Sequence, residues 1–195
     1  TNDKSLGNTM WSYKDHGKSW DLVHNHPPAQ GFRWLHSSFG TNLRLTEMQS
    51  AIGRIQLKKM EIWNSRRTLN ANKITKSVMD LDLFRVPKVS KDIHHAWYKY
   101  YLFINVEKLK YGWNKQMVIS RLNKLGIPCY EGSCPEVYLE EAFRLAGHQP
   151  KHRLKNAKLL GETSIMLLIH PTILASSIAM TCEGLKKVNE EALSI

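Results

Sequence analysis

The chain has 195 residues, of which 28 are Lys or Arg and 17 are Asp or Glu, giving a formal net charge of +11. Hydrophobic residues make up 42% and charged residues 23%, a mix that can bury a core and excludes disorder as the dominant state, which needs low hydrophobicity with high charge density. No apolar run approaches the roughly 20 residues of a membrane-spanning helix. The opening residues carry no basic-then-apolar leader pattern, and three cysteines, Cys129, Cys134 and Cys182, are too few for a disulfide scaffold. These features predict a cytoplasmic protein with no membrane partner.

The positive balance favours an anionic partner, whether nucleic acid, an anionic membrane surface or a phosphorylated small molecule, and is equally consistent with a solvated surface carrying excess positive charge. Its distribution argues against nucleic acid, because basic residues alternate with acids and form no unbroken Lys/Arg tract. No period or low-complexity segment interrupts the chain. The first forty residues set His16, His24, His26 and His36 among Trp11, Trp20 and Trp34, with Pro27-Pro28 and several glycines. Weak periodicity predicts short elements there, an ordered loop over residues 24–40, and a start in mid-fold.

From Thr46 the pattern sharpens. Thr46-Glu47-Met48-Gln49 is a capping box, in which the Thr hydroxyl accepts from the Gln49 N–H and Gln49 reaches back. Leu45, Met48, Ile52 and Ile55 recur at three- and four-residue spacing and predict an apolar helix face. With no proline over residues 46–86, the helix can run to about residue 80. Gly53 inside it predicts a close approach of another backbone, with a subunit contact as the alternative. Past Pro87 the chain turns mixed α/β. Residues 97–106, rich in aromatic and β-branched side chains, predict a strand. Asn114 caps a helix carrying Val118, Ile119, Leu122 and Leu125, with Gly126 as its C′ residue and Pro128 as its stop. Helices are predicted over residues 138–145 and near 152–160, a short buried strand over 164–169 and a final helix lined by Ile178, Cys182, Leu185 and Ala192. The expected sheet is small and mainly antiparallel.

The residues alone point to no self-contained catalytic centre. Cys129, Cys134 and the adjacent pair His94-His95 lack a second ligand pair at zinc spacing. Gly132-Ser133-Cys134 lacks the strand–turn–helix setting of a nucleophile elbow, and no glycine-rich loop matches a phosphate cradle.

One stretch carries more information. Gly40-Thr41-Asn42-Leu43-Arg44-Leu45-Thr46 and the helix after it closely resemble the Gly-x-Asn-x-Arg-Leu-Thr segment of the DegT/StrS-type sugar aminotransferases, which are fold-type I pyridoxal-phosphate enzymes. Further landmarks follow in order. Thr1-Asn2-Asp3 and His16-Gly17 look like the sequence past the family's Gly-Glu-Gly-Gly segment. His95-Ala96-Trp97-Tyr98 looks like the opening strand of its small domain, and Leu125-Gly126-Ile127 and His170-Pro171 match later positions.

The resemblance implies the C-terminal half of such an enzyme: residues 1–65 as the end of the large cofactor-binding domain and the start of a long linking helix, and 66–195 as a small α/β domain. It implies pyridoxal 5'-phosphate as cofactor, glutamate as amino donor, a nucleotide-linked keto sugar as acceptor and a homodimer. The family's Schiff-base lysine lies upstream of its Gly-Glu-Gly-Gly segment, so its equivalent would precede Thr1 and this chain alone would be inactive. Asn42 maps onto the residue that reaches the phosphate of the partner subunit's cofactor. Arg44 is a candidate for phosphate or for the substrate's diphosphate. For both, the alternative is a helix-start turn in which Asn42 satisfies local backbone. Leu43 departs from the Tyr often found at its position. The family's His-Tyr-Pro pattern is replaced by Cys129-Tyr130-Glu131-Gly132-Ser133, where Tyr130, Glu131 and Ser133 can hydrogen-bond sugar hydroxyls or form a polar surface loop. Two other readings stay open: a basic nucleic-acid-binding or regulatory module, and a catalytically dead dimerisation domain.

Overall fold

The computed structural model describes residues 1–26, 33–132 and 134–193, so Ser133 and part of the predicted 24–40 loop lie outside the described residues. The chain divides into two units, Thr1–Lys58 and Lys59–Ile195, the division falling inside one long helix.

The first unit opens with helix α1 (Lys4–Lys14), whose N-cap Asp3 accepts the Leu6 N–H at 2.9 Å. A short helix α2 (Trp20–His24) follows, capped by Ser19. Helix α3 (Glu47–Val78) spans 32 residues. Its capping box forms as the spacing predicts: the Gln49 N–H donates to Thr46 Oγ1 at 3.3 Å, and the Thr46 N–H donates to Gln49 Oε1 at 3.1 Å. Among the described residues no other element approaches Gly53: beyond its own helix, nothing lies within 4 Å of where a Cβ would stand. The apolar side chains Leu45, Met48, Ile52 and Ile55 are exposed.

The second unit is built on a four-stranded antiparallel sheet in the order β1-β2-β4-β3, from β1 (Phe84–Arg85), β2 (Tyr100–Ile104), β3 (Cys129–Glu131) and β4 (Ser164–Leu167). In β2, Tyr100, Leu102 and Ile104 point into the core, while Tyr101 and Phe103 are half-buried on the opposite face. This is the period-2 alternation of a strand. The strand begins three residues later than the aromatic run predicts, because Trp97 takes a positive φ of 48°. That turn is braced by the Trp97 N–H donating to His95 Nδ1 at 2.9 Å. Helices α4 (Lys115–Lys124) and α7 (Ala175–Ala192) cover the sheet with Val118, Leu122, Ile178, Leu185 and Val188, all essentially inaccessible to water. Asn114 caps α4 as expected, accepting the Met117 N–H at 3.0 Å. The predicted 138–145 helix splits into a 3₁₀ turn (Val137–Leu139) and α5 (Glu141–Leu145), and the next helix, α6, runs Lys155–Thr163. No helix among the described residues is long and apolar enough to cross a membrane.

Candidate functional site

In the first unit the segment carrying Asn42 is strapped across the end of α1. The Thr41 N–H donates to the Tyr13 carbonyl at 2.7 Å, the His16 N–H to Thr41 O at 3.1 Å and the Leu43 N–H to Lys14 O at 3.0 Å. Asn42 itself pairs antiparallel with Asp15. Such close crossing requires glycine. A Cβ at Gly40 would stand 2.5 Å from the Gly17 nitrogen, and one at Gly17, which has φ +84°, would stand 1.8 Å from Ser38 O. Two glycines 23 residues apart in sequence thus seat the Asn42 turn on the helix end.

The Asn42 amide has two ends with different work. Its Oδ1 accepts the Arg44 N–H at 3.2 Å, the local role that an amide before a helix commonly fills. Its side chain is exposed, and Nδ2 carries two N–H donors that an anion can use. The start of a 32-residue helix lies five positions downstream, where the macrodipole is positive. Donor chemistry, exposure and helix polarity all fit an oxygen of a phosphate group.

Arg44 is engaged differently. Its guanidinium forms an ion pair with Asp15 and donates to His16 Nε2 at 3.2 Å. Asp15 is nearly buried, with 12% of its side chain exposed. Burial pushes its carboxyl up, but the charges of Arg44 and Lys18 prevail and hold it below the ordinary carboxylate value. Arg44 therefore braces the turn beneath Asn42. No local spacing in the sequence joins Arg44 to Asp15, 29 positions away, so only the fold reveals the pair.

In the second unit, Tyr130 and Glu131 lie on the edge strand β3, paired with Met166 and Ile165 of β4. Tyr130 is half exposed. Glu131 accepts from Gln116 Nε2, and Lys115 Nζ stands 3.5 Å from it. Residues at the start of α4 thus orient Glu131, one of the three predicted contacts of this segment, while Tyr130 is open to solvent. Burial pushes the neighbouring Cys129 thiol up to about 12, so it is protonated at neutral pH and unfit as a nucleophile. Among the described residues no cluster of three or more His, Cys, Asp or Glu could hold a metal.

Residues 1–186 match the DegT/DnrJ/EryC1/StrS aminotransferase family. The aminotransferase from Psychrobacter cryohalolentis is similar in structure, with a TM-score of 0.88 and 43% identity over 98% of this chain and 50% of that one. An uncharacterised protein of Methanocaldococcus jannaschii is 26% identical over 98% of this chain and 49% of its own length. A dTDP-3-amino-3,4,6-trideoxy-alpha-D-glucose transaminase of Streptomyces venezuelae is 33% identical over a shorter stretch, 34% of this chain and 17% of that protein. The chain spans about half the length of the first two.

Proposed function

The chain belongs to the DegT/DnrJ/EryC1/StrS aminotransferase family, and from that premise we propose that it is part of a pyridoxal 5'-phosphate-dependent enzyme that moves an amino group from glutamate to a keto group of a nucleotide-linked sugar. The observation that carries this reading is the Asn42 amide: its oxygen accepts the Arg44 N–H, and its nitrogen, on an exposed residue, offers two donors suited to an anion. The cofactor, when bound, supplies the electron sink that allows an amino group to leave a donor and be passed on.

This chain's own contribution is binding and orientation. Asn42 donates to the phosphate of the cofactor held by the partner subunit of a homodimer. Arg44, through Asp15 and His16, keeps the turn that presents Asn42 in register. Tyr130 and Glu131, with Ser133 beside them in sequence, meet hydroxyls of the sugar. Residues 1–65 belong to the large domain and 66–195 to the small one. The Schiff-base lysine belongs to the rest of the protein, so these 195 residues alone neither retain the cofactor nor turn over. The exposed apolar stripe of α3 is covered in the intact cytoplasmic enzyme by the remainder of the large domain or by the second subunit. The aminated sugar serves polysaccharide or lipopolysaccharide synthesis.

The test is spectroscopic. The full-length protein should show the absorbance of bound pyridoxal phosphate, lose it on addition of glutamate and regain it with a nucleotide-linked keto sugar. A protein that binds no cofactor, and instead shows an affinity for DNA that falls steeply with salt, would overturn the proposal in favour of a nucleic-acid-binding module.

A further inference from the structure

The loop that follows Tyr130 and Glu131 is fastened by a polar cluster far more elaborate than a surface loop needs. Glu136 is only 8% exposed. Its carboxylate accepts from Arg153 through both arms of the guanidinium fork, Nε at 2.9 Å and Nη2 closer still, and from the Tyr138 hydroxyl at 2.5 Å. The Tyr138 oxygen in turn accepts the Leu154 N–H at 2.9 Å, and the Tyr138 carbonyl accepts from Gln149 Nε2 at 2.9 Å. Arg153 and Tyr138 hold the Glu136 carboxyl at about 2, so at neutral pH it is ionised, paired with the Arg153 guanidinium and hydrogen-bonded by the neutral Tyr138 hydroxyl.

The same loop is gripped at its other end. Gly132 passes so close to the sheet that a Cβ there would stand 2.9 Å from the Tyr101 ring and 3.0 Å from Ser164 Oγ. Pro135 lies against Gly161 of α6, where a Cβ would come within 2.4 Å of the proline ring. Lys115, beside Glu131, also donates to Gly161 O at 2.7 Å and so ties α4 to α6 under the loop. A nearly buried charge is a costly way to fix a segment, because desolvation offsets much of the pairing energy. What it supplies is a fixed position for Pro135, Glu136 and Tyr138, the quality that the anchor of a binding segment requires.

We infer that Glu136 is a positioning residue for sugar recognition: clamped by Arg153 and Tyr138, it anchors the chain at Pro135 and Glu136 against its neighbours, just beyond the strand that presents Tyr130 and Glu131 to the hexose of the nucleotide sugar. The inference rests on the aminotransferase reading above and adds to it the group that governs sugar affinity. Glu136 acts through the loop and touches no reacting atom, so its loss should appear in sugar binding and spare the step with glutamate.

The experiment compares the full-length enzyme with its Glu136→Gln and Tyr138→Phe variants. Expected for Glu136→Gln are a KM for the keto-sugar substrate raised about tenfold or more, an unchanged rate of cofactor amination by glutamate, and faster amide hydrogen exchange over residues 131–137. Tyr138→Phe, which deletes one hydroxyl and keeps the ring, should give the same pattern more weakly. Equal losses in both half-reactions together with a lowered melting temperature would mark a merely structural role and overturn the inference. So would faster exchange in the loop with an unchanged KM. Equilibrium binding of UDP-N-acetylglucosamine, dTDP-glucose and GDP-mannose provides a readout independent of turnover. If the wild-type protein shows no reaction with glutamate, the aminotransferase reading fails. The binding series still decides the clamp: weaker binding of the best probe by both variants supports it, and equal binding contradicts it.

Discussion

Helix α3 puts apolar residues to two opposite uses. Near its start Met48, Ile52 and Ile55 are 77%, 59% and 55% exposed, whereas near its end Ala71, Ile74 and Val78 are fully buried. The contrast extends to the two units. Every buried hydrophobic residue described lies at position 71 or beyond, while the first unit is held by backbone hydrogen bonds, two crossing glycines and the Arg44–Asp15 pair. Hydrophobic periodicity therefore reports that a face is destined for burial without reporting what will bury it. The second unit supplies its own cover, and the first leaves a stripe for another surface.

Substitutions in the core of the second unit should have the largest effects. Leu102→Ala or Leu185→Ala removes a side chain with no exposed surface and should cost about 2–5 kcal/mol by denaturant titration. Thr46→Ala, which deletes the capping box of α3, should cost about 1 kcal/mol. Ile52→Ala should change the stability of the 195-residue chain by no more than about 0.5 kcal/mol. If the stripe is covered in the full-length protein as proposed, the same change there should cost about 2 kcal/mol or more. Equal, small values in both settings would break the comparison between the two faces of α3.

Acid offers a finer probe. The folded Glu136 carboxyl is lowered from an ordinary 4.5 to about 2, and Asp15 is shifted in the same direction. A depressed carboxylate contributes stability that is complete above its unfolded value and is lost as pH falls through its folded value. The urea midpoint should therefore drop between about pH 4.5 and pH 2, and Glu136→Gln should flatten part of that slope. An identical slope in wild type and variant would show that the clamp carries no linked proton.

Legibility in the sequence followed the source of each element's stability. Helix α4 was readable because its cap Asn114, its stripe of Val118, Ile119 and Leu122 and its terminal Gly126 agree with one another. Helix α7 was readable from its stripe alone, for Ile178, Leu185 and Ala192 are buried although no side chain caps the helix. Helix α1 was not: its Leu6, Met10 and Tyr13 fall at helical spacing, but the helix is short and buries no residue. Strands β1 and β3 have two and three residues and exist by pairing with β2 and β4, too short to carry an alternation of their own. The Asn42 turn was found through its resemblance to a family motif, whereas the residues that brace it and the Glu136–Arg153 pair are joined only by the fold.

Asn42 provides the most direct test of the whole account. In the full-length protein, Asn42→Ala should weaken pyridoxal phosphate affinity by one to two decades, since a hydrogen bond to a charged group is worth about 1.5–3 kcal/mol. The melting temperature should stay near wild type, because the cap at Thr46 and the Arg44–Asp15 pair remain. Unchanged cofactor affinity with lowered stability would mean that the amide serves only its own turn, and would contradict the account at its centre.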